Sequence, residues 1–300
     1  MTAAHVTFAH YQNRFCMFRI YYALAEGLVK PNGLTISVIE VPDPPSHAQE
    51  EALIAGDVQV ANLYLPNFLR CKLEGAPILG IATEWKSTVK GNGMFVRADG
   101  PVKTPKDLTG RLIATHHKSP HVVHRYLLKH RYGVDEATLR WQSLPQEELL
   151  EVLKGGEADA VVLIDQFFFR GEQDKDVRCL YTDGESWKAL TGFPEMIKHM
   201  IAVREPLLRA QPELREILLK AFKASFAYSE EHLPEIAVKF MERYGGDREA
   251  ILASARYPQI EFTFTESERR IAQAEMTMLV EMGELPREVP IPSLFMVEKR

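Results

Sequence analysis

The sequence predicts an α/β protein of two lobes, with largely parallel sheets and a chain that crosses between the lobes twice. Three observations predict it. Short β-rich runs alternate with helical patterns from end to end, the signature of strands joined by crossover helices. Gly91–Gly93 followed by Pro101 and Pro105 interrupts that alternation, and its character changes again after Phe193; both shifts read as passages between lobes. The 300 residues amount to about two domains' worth of chain.

Taken in order, His5–Ala9 reads as a strand and Cys16–Val29 as a helix apolar nearly all round, hence buried. Leu34–Val41 alternates with period two, a second strand. A helix over Ser46–Ala55 stops at Gly56, and strand Val58–Asn62 follows. Asn67–Leu73 reads as a short helix ending at Gly75, before strand Ile78–Thr83 and the short strand Met94–Arg97. The next unit repeats the pattern: strand Arg111–Thr115, helix Pro120–Tyr132 capped by Ser119, strand Leu139–Ser143, helix Gln146–Lys154 and strand Ala160–Ile164. Beyond Phe193 one strand, Lys198–Val203, precedes a mostly helical remainder. Pro212–Ser229 presents Leu214, Leu218, Ala221 and Phe222 on one face. Thr265 and Glu268 form a capping box opening a helix with Ile271, Ala274, Met278 and Met282 on one side. The expected division is residues 1–97 with 200–300 in one lobe and 98–199 in the other, with crossings near 94–104 and 193–203.

Composition narrows the partners. A net charge of −5 leaves no basic field to hold nucleic acid, and no apolar run is long enough to span a membrane. The expected partner is therefore a small molecule or another protein, and homo-oligomerisation is compatible with the sequence. Cys16, Cys71 and Cys179 are far apart, odd in number and free of any C-x-x-C, so reduced thiols are expected. The start, MTAAHVTFAHY, has no basic segment leading into an apolar one, which implies a cytoplasmic protein; a leader removed upstream would make it periplasmic. Gly91–Gly93 lacks the third glycine of a dinucleotide fingerprint, and no phosphate loop, nucleophile elbow or zinc-protease motif is written, so no cofactor is expected.

Ligands of open α/β lobes bind beyond the carboxyl ends of the strands, which in a two-lobed protein means the interlobe cleft. The loops to weigh are Tyr11–Cys16, with Tyr11, Asn13 and Arg14; Asn62–Pro66, with Asn62 and Tyr64; Thr83–Ser87; Thr115–His121; Ile164–Gln166; and Met196–His199. Arg111–Arg131 is the sharpest feature. It holds Arg111, Lys118, Arg125, Lys129, Arg131 and five histidines (His116, His117, His121, His124, His130), with no acid. Its centre, THHKSPH, falls where a helix begins, and free amides and the helix dipole favour an anion there. A carboxylate, sulfonate or phosphate held by His116, Lys118, Ser119, His121 and local amides competes with a merely well-capped, solvated helix. His121 and His124 have metal-ligand spacing, but no acid stands nearby and the positive surroundings repel a cation, so no metal is expected.

Cys16 follows the first strand at a helix start, two residues from Arg14, a setting that lowers a thiol pKa and suits a nucleophile; inert packing beside Phe15 and Phe18 is the plainer reading. Tyr64 and Trp85, with Lys86 adjacent, suit a planar anion through stacking and charge, unless Trp85 packs under the hinge and Lys86 points to solvent. Asp165 ends AVVLI and suits orienting a histidine, accepting a ligand hydroxyl or capping a helix.

Four stretches carry a family likeness: EEALIAGDVQVANL, FVRADGPVKTPKDLTGRLIA, LLEVLKGGEADAVVL and REPLLRAQPELREILLKAF. Their order resembles the type 2 periplasmic-binding-protein-like superfamily, within it the group binding aromatic sulfonates, nitrate and thiamine precursors. The superfamily also holds cytosolic enzymes. The segment GFPEMIKHM, with Phe193, Pro194 and His199, looks closest to 4,5-dihydroxyphthalate decarboxylase; the cysteine-rich iron motif of the thiamine-pathway pyrimidine synthase is absent. The decarboxylase likeness implies a cytosolic lyase acting on a hydroxylated aromatic or heteroaromatic carboxylate. His199 or His121 would be the proton donor, Ser119, Lys118 and Arg14 would hold the acid groups, and Tyr64 and Trp85 would flank the ring. The alternatives are the substrate-binding component of an ABC-type importer for a small organic anion (sulfonate, carboxylate or pyrimidine), with a permease as partner, and a desulfinase-like enzyme using Cys16.

Overall fold

The computed structural model of the chain describes residues 4–42, 47–116 and 118–296, residues 118–121 through their backbone alone. In chain order its elements are β1 (Ala4–Tyr11), α1 (Phe15–Ala25), β2 (Leu34–Val41), α2 (Ala48–Ala55), β3 (Val60–Tyr64), α3 (Leu65–Leu73), β4 (Ile78–Ser87) and β5 (Asn92–Arg97). Then follow β6 (Leu112–Thr115), α4 (Lys118–His130), β7 (Arg140–Ser143), α5 (Leu149–Gly155), β8 (Ala160–Ile164), α6 (Asp165–Gln173), β9 (Val177–Thr182) and α7 (Asp183–Thr191). The return comprises β10 (Met196–Arg204), α8 (Glu205–Ala210), α9 (Leu214–Glu231), α10 (Leu233–Tyr244), α11 (Arg248–Ser254), β11 (Gln259–Thr263) and α12 (Glu266–Glu281).

The strands form two sheets, the two-lobed α/β architecture that the alternation predicts. The first has order β11-β4-β10-β3-β1-β2 and the second β7-β6-β8-β5-β9. β1 runs parallel to β2 and β3, and β6 to β7 and β8, as crossover helices require. β5 and β10 run antiparallel to their neighbours, because each enters its sheet from the other lobe. Residues 88–91 carry the chain from the first sheet to the second, and residues 192–195 bring it back. The first passage thus precedes Gly91–Gly93 instead of following it at 94–104. Met94–Arg97 lies inside the second sheet, where Met94 and Phe95 are wholly buried between β8 and β9.

Burial explains the layers. β10 reads MIKHMIAVR and is buried along nearly its whole length, as a strand covered on both faces must be. α1 and α9 cover one face of the first sheet with Ile20, Tyr21, Leu218 and Phe222, while α3 and α12 close the other with Phe68, Met276 and Leu279. The Thr265–Glu268 capping box opens α12 as its spacing predicts. β9, β11 and helices α6, α7, α10 and α11 are additions to the sequence reading. Ser46, where that reading begins α2, lies outside the described residues. α11 reaches across to α6, putting Ala250 in the core of the second lobe. At the first passage a Cβ on Gly184 would stand 1.7 Å from the Thr88 carbonyl oxygen, so the start of α7 packs there only as glycine.

Candidate ligand site between the lobes

The two sheets face each other across a cavity lined from both sides. The first lobe supplies Tyr11 from the end of β1, Arg14 and Cys16 from the start of α1, Tyr64 and Asn67, Trp85, and Lys198 with His199 from β10. The second supplies Asn92, His116, His124, Ile164, Asp165 and Asp183. These positions cluster at strand ends and helix starts, the crevice expected of an open α/β sheet.

Local geometry decides which side chains reach it. β4 runs on through Ser87 because β10 and β11 pair on either side of it, so Trp85 and Lys86 point to opposite faces. Trp85 lines the cavity. Lys86 does not: its Nζ lies 2.9 Å from Glu261, 3.2 Å from Glu195 and 3.4 Å from Glu268, away from the cleft. The register of β10 shifts between Ile197 and His199 and again before Met200. That bulge lets the consecutive Lys198 and His199 both face inward, which a regular strand forbids. The His199 ring sits 5.1 Å from the Trp85 ring and 5.9 Å, edge-on, from Tyr64, so these three make one aromatic wall.

Two contacts tie the lobes across the cavity. Arg14 donates to His116 Nε2. Burial, then the Arg14 charge, holds the His116 pKa well below the usual histidine range, so the positive charge resides on Arg14. Lys198 Nζ stands 2.7 Å from Asp183, both side chains being nearly inaccessible. Burial disfavours the ammonium, but Asp183, Tyr64 and Glu275 outweigh it and raise its pKa. Asn92, its amide turned to donate to the Gly91 carbonyl at 2.7 Å, accepts from Lys198 at 3.2 Å. Burial lowers the His124 pKa to about 4, against the pull of Asp183, and its Nδ1 lies 3.0 Å from the Tyr181 hydroxyl. Below Lys198, burial pushes Glu275 up to about 8 even though it accepts from Ile197 N–H at 2.6 Å.

Of the residues that the sequence singles out, Tyr11, Arg14, Cys16, Tyr64, Trp85, His116, Asp165 and His199 line this cavity. Asn62 lies beneath it: it accepts from Gln49 at 2.6 Å and donates to Glu84 at 3.2 Å, a support under Tyr64 two residues on. Asn13 lines a separate outer depression with Gln166 and Tyr244. The side chains of Lys118, Ser119 and His121 lie outside the described residues, as does His117; the backbone of α4 starts at Lys118, two residues past the buried His116. The lowered pKa expected of Cys16 is corrected. Burial, reinforced by Asp165, raises it well above the ordinary thiol value, so the helix-start effect is outweighed. Nor does Asp165 cap α6: Ile164 holds the cap position, without a side-chain bond. The sequence reading missed Asn67, Asn92, Ile164, Asp183 and Lys198, and weighed His124 only as a metal ligand. The signal available for Lys198 and Asp183 was an ionisable side chain inside an otherwise apolar run or at a strand end.

Two sheet-centred halves meeting over a lined cavity define the fold class as that of the periplasmic binding proteins. A family model described as "NMT1/THI5 like" matches residues 15–236, and the chain belongs to that family. The aliphatic sulphonate binding protein SsuA of Escherichia coli superposes with a TM-score of 0.77 at 16% identity, covering 99% of this chain and 93% of that one. The alkanesulfonate-binding protein SsuA of Xanthomonas axonopodis pv. citri, solved with MOPS, gives 0.76 at 16% identity and covers 99% of each chain. A conserved Candida albicans gene product with the generic periplasmic binding protein fold gives 0.70 at 15%, covering 96% of this chain and 92% of that one. A comparison with curated proteins returns no match.

These neighbours overturn the expectation of a cytosolic lyase. Several of the structures sharing the fold over nearly the whole chain are sulfonate-binding proteins, two of them described as periplasmic and none as a lyase, so the lyase expectation drawn from Phe193, Pro194 and His199, and the cytoplasmic placement that went with it, are not upheld. The segment in question is the second passage and the bulged start of β10, which this fold needs in order to return to its first sheet. No helix among the described residues is long and apolar enough to cross a membrane.

Proposed function

We propose that the chain is the substrate-binding component of an ABC-type importer, capturing a small organic anion between its lobes in the periplasm and passing it to a membrane permease. The lobes of this reading are built on the two sheets, with residues 88–91 and 192–195 as hinges. One observation carries it: Arg14 and the aromatic wall Tyr64–Trp85–His199 on the first lobe face His116 and His124 on the second, across one cavity. An anionic head held by Arg14 and the α4 amides, with Lys118, Ser119 and His121 in that stretch of sequence, leaves a planar or apolar body for the aromatic wall. The sulfonate binding of the SsuA neighbours supports a sulfonate first, then a carboxylate.

Thermal-shift and calorimetric screens of alkanesulfonates, arenesulfonates, aromatic carboxylates and pyrimidines test the proposal. A ligand present at 100 times its Kd should stabilise the fold by ~2.7 kcal/mol. Mass spectrometry should recover it unchanged, and small-angle scattering should show the lobes drawing together. Absence of binding in all four classes, or chemical conversion of the ligand, overturns the reading.

A further inference from the structure

Beside the main cavity lies a narrow chamber. It shares Trp85, Asn92 and Asp165 with the cavity and is lined besides by Ser87, Lys90, Gly91, Phe169, Ser254 and Pro258; Lys90 Nζ is engaged by Glu172 at 2.9 Å. Three polar atoms of these residues are orphans. Among the described residues, Trp85 Nε1, Ser87 Oγ and Asp165 Oδ2 have no hydrogen-bond partner, although Trp85, Ser87 and Asp165 are only 7%, 2% and 3% exposed. Buried polar atoms are almost always paired, so three around one chamber call for an occupant.

The backbone is arranged to bring them there. Trp85 and Ser87, two apart on β4, share a face. Asp165 comes from the other lobe with a φ of +55°, a left-handed conformation that beyond glycine mainly Asn and Asp adopt. Its N–H is fixed to the Gly91 carbonyl at 2.8 Å, and its carboxylate also accepts from the Cys16 thiol.

We infer that this chamber receives a hydroxyl group of the ligand, whose O–H donates to Asp165 Oδ2 and whose lone pairs accept from the Trp85 indole N–H and the Ser87 hydroxyl. The count of donors and acceptors selects it. A hydroxyl offers one proton and two lone pairs. A sulfonate or carboxylate oxygen would face Asp165 with like charge, and an ammonium has no lone pair for the indole. The inference rests on the reading of the cleft as an organic-anion site and adds a requirement to it: the anion carries an alcohol or phenol at the end remote from its charge.

Matched probes test it by calorimetry: isethionate against propane-1-sulfonate, and 4-hydroxybenzenesulfonate against 4-methylbenzenesulfonate, each pair exchanging OH for CH3. Wild type should prefer the hydroxylated member of at least one pair by about tenfold or more, since the methyl leaves all three atoms unpaired. W85F, S87A and D165N should each shrink that preference at least about threefold. Asparagine tolerates the left-handed backbone, and S87A removes a single oxygen, so the test survives if W85F fails to fold. Equal binding within both pairs, a preference unchanged in S87A and D165N, or a crystal structure with the probe bound and only water in the chamber overturns the hydroxyl subsite and leaves the cleft reading standing. No binding by any of the four, with none in the wider screen, overturns both.

Discussion

The two walls of the cleft are built from opposite chemistry. The first lobe presents aromatic rings and cations: Tyr11, Tyr64, Trp85 and His199 with Arg14 and Lys198. The second presents acids, an amide and histidines that burial keeps neutral: Asp165, Asp183, Asn92, His116 and His124. Two contacts join the walls. Lys198 needs Asp183 and Arg14 meets His116 only when the halves are together. The difference teaches that a ligand filling the proposed site would bridge two chemically unlike walls that this ion pair already joins.

The sharpest way to break the comparison is to cut that ion pair. K198A or D183A should destabilise the protein by ~3–5 kcal/mol in urea unfolding, because each strands a buried charge. The double replacement K198M/D183L should recover most of that loss. If the single variants are as stable as wild type, the pair does not hold the lobes. Next in size, R14A should weaken sulfonate binding by ~1.5–3 kcal/mol, about 10- to 150-fold, in a calorimetric titration. Retained affinity would move the anion's grip elsewhere.

A third test separates the support of the first wall from the wall itself. Burial raises the Glu84 pKa to about 7 from 4.5, against hydrogen bonds from Tyr21 and Asn62. Between those values the native state binds more protons than the unfolded chain, so stability falls as pH rises. Going from pH 5 to pH 8, wild type should lose ~1–3 kcal/mol more than E84Q in paired denaturation curves. Parallel curves would mean that Glu84 is ionised throughout. The histidines of the second wall act in the opposite sense: His124, depressed to about 4 from 6.5, takes stability away as pH falls through that window. Smallest of all, K86M should leave ligand affinity within about twofold, because Lys86 serves three glutamates behind the wall. A larger loss would mean that this cluster reaches the ligand.

Much of the fold was legible because periodicity and punctuation are local. Gly56 and Gly156 end α2 and α5, the Thr265–Glu268 box starts α12, and the parallel units of both lobes follow from alternation. Site residues at strand ends, such as Tyr11, Arg14, Tyr64 and Asp165, were legible for the same reason, since a strand end is visible in sequence. Lys86 was misjudged because a strand that continues past its apparent end reverses the facing of its neighbours. Lys198 and Asp183 stayed hidden because 15 residues and the second passage separate them in the chain, and their attraction exists only where the sheets meet.

By itself, then, the sequence determined the class of fold, the order of elements in the parallel β–α units and the strand ends where a ligand site was expected, since these depend on contacts within a few turns of chain. Tertiary structure alone decided which side chains face the cavity: the β10 bulge turned Lys198 and His199 inward together, and pairing of β4 on both edges turned Lys86 out. It also decided their charge states, because burial, which no residue carries in its name, keeps the Cys16 thiol and the two cleft histidines neutral.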